Sequence, residues 1–215
     1  MVYHVLNRAN GRLKIFRRPK DYEAFEQILL AAKKKQPMRL LAYCLMPNHW
    51  HLILYPYADG DLSNFMRWVT LTHTQRWHTH YQSVGYGHLY QGRFKSFPVQ
   101  KDEHFLQLVR YVERNAQRAA LVNRADDWPW SSLHRREYGS NEQKKLLSSW
   151  PVQVDHDFRQ WVNIPQPQEE LAAVRFAIKR SRPYGQDAWL LKTVAALGLE
   201  TTMRQQGGYR RNEST

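Results

Sequence analysis

Two short apolar runs joined by a Pro-Asn dipeptide constrain the fold of this chain more than any other feature. Residues 40–46 (LLAYCLM) are too apolar and too short for a surface helix, which predicts a buried strand. Pro47-Asn48 is typical of a turn, and residues 49–54 (HWHLIL) return as a second strand. The chain therefore contains a buried pair of strands around which the remaining elements are arranged.

The segments on either side of this pair predict the rest of a sheet and its helices. Pro19 favours the start of a helix, and Pro98 favours an edge position for the strand that contains it. In chain order, the pattern predicts strand 2–8, helix 20–35, strands 40–46 and 49–54, helix 61–81, strand 93–99 and a helix from Asp102. The order β-α-β-β-α-β-α is that of a ferredoxin-like or RRM-like α+β domain.

The pattern is weaker after Trp130. Residues 139–150 have the composition of a polar connection, and helices are predicted at 168–180 and at 187–197, the second ended by Gly198. Residues 201–215 (TTMRQQGGYRRNEST) have the composition of a mobile basic tail. We therefore expect a domain at residues 1–138 and a small helical extension with a basic tail at residues 139–215.

The charge of the chain indicates its class of partner. Thirty-two Lys and Arg residues against 19 Asp and Glu give a net charge of +13, which favours a polyanionic partner. No apolar run approaches the roughly 18 residues that span a bilayer, and no signal peptide is visible, so we expect nucleic acid and a cytoplasmic location. The single cysteine, Cys44, excludes an internal disulfide and is expected to be buried.

Two pairs of residues are candidates for chemistry. His49 and His51 project from the same face of one strand and could share a divalent cation, although a His-x-His tripeptide also occurs by chance. No zinc-finger or zincin spacing is present. Tyr111 and Asn115 are four residues apart and share a helix face. Their spacing alone equally allows a core tyrosine beside a surface asparagine.

Five stretches, taken in order, resemble a known family. YCLMPNHWHLIL resembles the His-hydrophobic-His motif of the HUH single-strand DNA endonucleases. Together with YHVLNRANGRLKIF, GHLYQGRFKS, RYVERNAQRAALV and DWPWSS, it resembles the REP-associated tyrosine transposases over residues 3–132. SRPYGQDAW and the basic tail resemble the C-terminal region of that family more loosely.

This resemblance implies a specific site and reaction. His49 and His51 would be ligands of Mg²⁺ or Mn²⁺, Asn115 a third ligand, and Tyr111 the nucleophile. The product would be a 5′-phosphotyrosine link to single-stranded DNA that contains a hairpin. Where the family has Pro and Gly after the tyrosine, this chain has Ala116 and Ala120, which predicts a longer or stiffer helix end.

Several further residues are expected to contact DNA. The charge excess suggests this role for Arg8, Arg12, Arg110 and Arg114. Arg93 and Lys95 lie on one face of their predicted strand, where phosphate contact and simple solvation are equal alternatives. His73, His78 and His80 are expected to be solvated or to face DNA. Trp128 and Trp130 are expected to be structural, with base stacking as the alternative.

Two other functions stay open at this point. One is a nucleic-acid-binding module without chemistry, because a similar order of elements underlies RNA-recognition sheets. The other is a hydrolase in which the metal activates the attacking group. Whether the protein is a monomer or a homodimer is open, as is whether the tail binds the hairpin or covers the site.

Overall fold

The computed structural model describes residues 1–154 and 157–204. The strands are β1 (Val2–Arg8), β2 (Arg39–Met46), β3 (His49–Tyr55) and β4 (Lys95–Val99). The helices are α1 (Pro19–Lys35), α2 (Asp61–His80), α3 (Glu103–Glu113), α4 (Asn115–Arg118), α5 (Ser132–Tyr138), α6 (Asn141–Lys144), α7 (Phe158–Asn163), α8 (Gln168–Arg180) and α9 (Asp187–Leu197). None of the helices described is both long enough and apolar enough to cross a membrane.

The four strands form one antiparallel sheet in the order β2-β3-β1-β4. The chain order β-α-β-β-α-β-α confirms the predicted α+β, ferredoxin-like arrangement. Pro98 lies in β4 at the sheet edge, as predicted. However, β4 begins at Lys95, so Arg93 precedes the strand, and the prediction that these two residues share a strand face is wrong.

The two faces of the sheet carry different cores. Trp50 and Leu52 of β3 pack with α1 and α2, whereas Ile53 packs on the other face with α3 and α8. Successive strand residues point to opposite faces, so an apolar strand buried on both sides supplies two cores. The same alternation places His49 and His51 on the face that carries α3.

The segment before α5 covers the outer edge of β2. The backbone N–H of Leu45 donates to the carbonyl of Trp130, and the Trp128 indole donates to the carbonyl of Leu45. Trp130 stacks on Tyr22 of α1 with ring centroids 4.8 Å apart. The two tryptophans therefore have structural partners. Covering an edge strand also removes unpaired backbone groups that would favour aggregation.

Neither α5 nor α6 was predicted, because each is only one or two turns long and lacks an apolar stripe. α5 is held by a buried ion pair between Arg135 and Glu26, and Glu26 also accepts a hydrogen bond from the Tyr43 hydroxyl. α6 lies in the predicted polar connection. α8 and α9 have the predicted bounds.

α8 packs on α3, where Val174 and Ala177 join the core that contains Val109. The division into residues 1–138 and 139–215 stays a prediction. Most of the predicted basic tail, residues 205–215, lies outside the described residues.

The end of α3 differs from the prediction. Instead of a longer helix, α3 ends at Glu113 and the single turn α4 ends at Arg118. Ala120 has φ +53°, and the backbone N–H of Leu121 donates to the carbonyl of Ala116. This left-handed ending normally uses glycine. The alanine in this chain adopts the glycine conformation rather than extending the helix.

Candidate active site

The sequence-predicted catalytic residues meet in one pocket. The rings of His49 and His51 have centroids 5.1 Å apart, and the Tyr111 ring centroid lies 6.3 Å from that of His51. The pocket has a volume of about 280 Å³. Its polar lining residues are Arg8, His49, His51, Tyr111, Asn115 and Arg118.

α3 brings Tyr111 to this pocket because the helix is strongly amphipathic. The Asp102 side chain caps its first turn by accepting the backbone N–H of His104. Phe105 and Val112 bury the helix against the sheet. Tyr111 is 9% exposed, and its hydroxyl makes no hydrogen bond to any residue within 1–154 or 157–204.

The two histidines fit a divalent cation. His49 Nδ1 lies 2.7 Å from Asn48 Oδ1, and His51 Nδ1 lies 2.9 Å from His4 Nε2. Each ring therefore has one nitrogen held by the protein, while its Nε2 has no hydrogen-bond partner in the described part of the chain. A metal-binding histidine has this arrangement, with one nitrogen oriented by a neighbour and the other free.

The surroundings keep both imidazoles neutral, the form that binds metal. Burial, with a smaller effect of the positive charge of Arg8, lowers the pKa of His49 to about 4. Burial also lowers the pKa of His51 well below its usual value, and His4 and His49 lower it further.

His4 was not identified from the sequence. It is fully buried on β1, lies against Phe97 with ring centroids 4.9 Å apart, and stacks on His51. The strand register pairs Leu6 with His51, which places His4 one diagonal step away on the same face. The sequence does show a histidine in the apolar first strand. Which residue it contacts, however, depends on the pairing of β1 with β3.

Asn115 and Arg118 form a second cluster beside Tyr111. Arg118 donates through Nη2 to Asn115 Oδ1 at 2.8 Å and to the Tyr111 carbonyl at 2.7 Å. Its guanidinium carbon lies 4.0 Å from the centroid of the Tyr111 ring. The Asn115 oxygen has a second lone pair with which it could bind a cation. Arg118 was not a sequence candidate, although it stands three residues after Asn115.

The predicted DNA-binding residues separate into two groups. Arg8, Arg12, Arg93 and Lys95 are exposed. Arg110 and Arg114 are 3% and 8% exposed. Their guanidinium groups donate to the carbonyls of Val162, Ile164 and Pro165. These two arginines hold the segment before α8 rather than offering charge to DNA, contrary to the prediction.

One of the three histidines of α2 departs from the prediction. His73 is 4% exposed, and its Nδ1 lies 2.6 Å from the Tyr90 hydroxyl, so the prediction of a solvated or DNA-facing residue is wrong. Burial lowers the pKa of His73 to about 3. His78 contacts Ser83, and His80 is exposed and contacts Arg18.

A separate group of possible metal ligands lies at the start of α3. Ligand atoms of Asp102, Glu103 and His104 lie within 4.8 Å of one another. Asp102 and His104 already bond to each other in the helix cap. This group lies at the opposite end of α3 from Tyr111, and its interactions are those of a helix start.

Comparison with known proteins shows which family the chain matches. Residues 1–115 match the family described as "Transposase IS200 like". The REP-associated tyrosine transposase of Escherichia coli (strain K12) is 26% identical over 116 residues, which is 54% of this chain and 66% of that protein. A putative REP-associated tyrosine transposase of Haemophilus influenzae is 22% identical over 126 residues, 51% of this chain and 72% of that protein.

A solved structure supports the fold. A REP-associated tyrosine transposase bound to a REP hairpin superimposes with a TM-score of 0.51 at 20% sequence identity. The match covers 73% of this chain and 87% of the other. The structural match covers more of the chain than the family match at residues 1–115. The shared fold therefore includes more than the sheet and helices α1 to α3.

Proposed function

Because the chain belongs to the family of IS200-like transposases, we propose that it cleaves and rejoins single-stranded DNA at hairpins, with Tyr111 as the nucleophile. One observation carries the proposal. A buried tyrosine with an unbonded hydroxyl shares a pocket with two neutral histidines whose Nε2 atoms are free. A nucleophile beside two metal-ligand atoms is the arrangement that metal-assisted phosphoryl transfer requires.

His49, His51 and Asn115 are the residues that would hold Mg²⁺ or Mn²⁺. When bound, such a cation supplies positive charge that offsets the negative charge growing on the phosphate oxygens. The amide oxygen of Asn115 suits either ion, whereas imidazole nitrogen binds Mn²⁺ more readily than the harder Mg²⁺.

Tyr111 performs the covalent step in this proposal. Its oxygen attacks phosphorus as the phenol proton passes to water, and the bond from phosphorus to the 3′ oxygen breaks. The departing 3′ oxygen takes a proton from water, which leaves a 5′-phosphotyrosine and a free 3′-OH. Since the new ester keeps the energy of the old one, a second 3′-OH can reverse the step and join strands.

The DNA partner is proposed from charge and from the relatives. Arg8 lies in the pocket, and Arg12, Arg93 and Lys95 are exposed cations available to backbone phosphates. The solved relative is bound to a REP hairpin, and we propose hairpin DNA as the partner here.

The test is a covalent adduct. The protein is incubated with Mn²⁺ and a library of hairpin oligonucleotides with randomised single-stranded flanks, then denatured and separated by electrophoresis. We expect a DNA-linked protein band that is lost in Tyr111→Phe and in His49→Ala. Tyr86→Phe, at a tyrosine that is 87% exposed, is the matched control and should keep the band.

The same experiment identifies the alternatives. Cleavage that persists in Tyr111→Phe would indicate a hydrolase with a metal-activated attacking group. Tight binding of hairpins by every variant without cleavage by any would indicate a binding module. Either result would overturn the proposal.

A further inference from the structure

Arg118 is a pocket cation whose interactions leave one donor group without a partner. Its Nη2 is used twice, by the Tyr111 carbonyl and by Asn115 Oδ1. Its Nη1 is shielded from solvent and has no hydrogen-bond acceptor in residues 1–154 or 157–204. A charged donor withdrawn from water without an acceptor is costly. Several side chains among the described residues have such an atom, and of these Arg118 is the one that lines the pocket with Tyr111.

Among the described residues, no Asp or Glu lines the pocket that contains Arg118. None of the ion pairs within the described residues involves this guanidinium. Burial lowers the pKa of Arg118, Tyr111 and Cys44 oppose this shift, and the nearby cations Arg114 and Arg175 add to it. Arg8 lines the same pocket. The potential in the pocket is therefore positive, and an anion that enters it is attracted.

The guanidinium is also held firmly in place. Its guanidinium carbon lies over the Tyr111 ring, and its two Nη2 contacts span the turn from α3 to α4. Little side-chain freedom remains to be lost when a ligand binds, which is the condition for effective electrostatic stabilisation. A planar guanidinium matches the geometry of phosphate oxygens, and Arg118 lines the pocket.

We propose that Arg118 is a catalytic residue whose guanidinium binds a non-bridging oxygen of the scissile phosphate. It would act beside the nucleophile, and it would supply positive charge that the histidine pair does not. The role in strand cleavage rests on the proposed function, whereas phosphate binding by Arg118 does not require it.

The direct test measures anion binding without metal. Inorganic phosphate is titrated into the full chain in EDTA at low salt and followed by ³¹P NMR. We expect Arg118→Gln to bind phosphate at least about tenfold more weakly than wild type, and Arg118→Lys to recover part of the loss by keeping the charge. Arg67→Gln, at an exposed arginine of α2, is the control and should bind as wild type does.

The results separate the two proposals. Unchanged phosphate affinity in a folded Arg118→Gln protein would overturn the inference, even if the Tyr111 adduct forms. An equal loss in Arg67→Gln would overturn it as well. Phosphate binding that depends on Arg118 in a protein that never forms an adduct would instead leave an anion site and overturn the proposed function.

A neutral substrate distinguishes contact with phosphate from positioning of Tyr111. A methylphosphonate at the scissile position removes the charge of one non-bridging oxygen. If Arg118 neutralises that oxygen, we expect the rate ratio of wild type to Arg118→Gln to fall from about 10²–10³ on the phosphodiester to within about tenfold of one. An equal ratio on both substrates would show that Arg118 only positions Tyr111 and Asn115, and would overturn the catalytic role.

Discussion

At the scale of single residues, the location of one proton decides whether His51 can bind a metal. If Nε2 is the ligand, the proton of the neutral ring lies on Nδ1 and is donated to His4 Nε2. His4 then carries its own proton on Nδ1, which has no partner among the described residues and is fully buried. The Nδ1–H group of His4 thus stays without a hydrogen-bond partner among the described residues, while His4 Nε2 fixes the orientation of the His51 ring.

This hydrogen bond yields a prediction about metal affinity. Changing His4 to Leu removes the acceptor for His51 Nδ1, and we expect Mn²⁺ to bind about 10–100-fold more weakly by isothermal titration calorimetry. His73→Gln changes another buried histidine, on the face of the sheet that carries α2, and should bind Mn²⁺ as wild type does. Equal affinity in His4→Leu and wild type would show that His4 does not orient the ligand.

A second residue-scale effect concerns Glu113. Its carboxyl is fully buried, accepts a hydrogen bond from the Ser132 hydroxyl, and has one oxygen without a partner among the described residues. Burial raises the pKa of Glu113 from 4.5 to about 7, although the hydrogen bond from Ser132 opposes the shift. The folded protein therefore binds this proton more tightly than the unfolded chain does.

The free energy of unfolding should consequently decrease as pH rises from about 4.5 to about 7, by up to about 3 kcal/mol from this group. Glu113→Gln has no carboxyl group to titrate between about pH 4.5 and 7. The free energy of unfolding of wild type minus that of the variant should therefore fall as pH rises through this range. Urea unfolding in EDTA at a series of pH values measures the difference, since the other titrations are common to both proteins. A difference independent of pH would contradict the shift.

At the scale of elements, the turn from α3 to α4 sets the position of the proposed catalytic groups. α3 carries Tyr111, and the break at Arg114 lets Arg118 fold back over the tyrosine ring. The turn ends at Ala120 in the left-handed region, which is unfavourable for any residue with a Cβ. The end of the element that holds the proposed nucleophile is therefore mildly strained.

This strain predicts a stabilising substitution. Ala120→Gly should raise the free energy of unfolding by about 0.5–1 kcal/mol, because glycine adopts φ +53° without steric cost. Ala119→Gly is the matched control: its φ of −88° suits alanine, so added glycine freedom should lower stability by a similar amount. Chemical denaturation measures both, and destabilisation by Ala120→Gly would contradict the argument.

At the scale of the whole molecule, a net charge of +13 does not reveal which cations reach DNA. Arg8 and Arg93 are exposed, whereas Arg110 is buried against the carbonyls of Ile164 and Pro165. An arginine in a predicted helix can be either exposed or buried, and the sequence of the helix does not distinguish the two. Residues 158–165 and α8 pack on α3, and Arg110 hydrogen-bonds to this segment. The charge that the sequence suggests for DNA therefore has a structural role.

This separation predicts two kinds of arginine variant. Arg8→Gln and Arg93→Gln should each reduce the slope of log Kd against log salt for single-stranded DNA by about 0.7, the value for one phosphate contact. Arg110→Gln should leave the slope unchanged and lower the melting temperature, because the hydrogen bonds of Arg110 to the Ile164 and Pro165 carbonyls are lost. Fluorescence anisotropy and thermal melts measure the two effects. A reduced slope in Arg110→Gln would show that it reaches DNA.

The sequence by itself determined the strands, the larger helices, the order of the fold and the common face of His49 and His51. These features depend on the periods of the backbone, two residues in a strand and 3.6 in a helix, which local sequence displays directly. Only the tertiary structure decided that His4 orients His51, that Arg118 covers Tyr111, and that Arg110 is buried. Those contacts depend on strand register and on how helices pack across the sheet, which no single segment specifies.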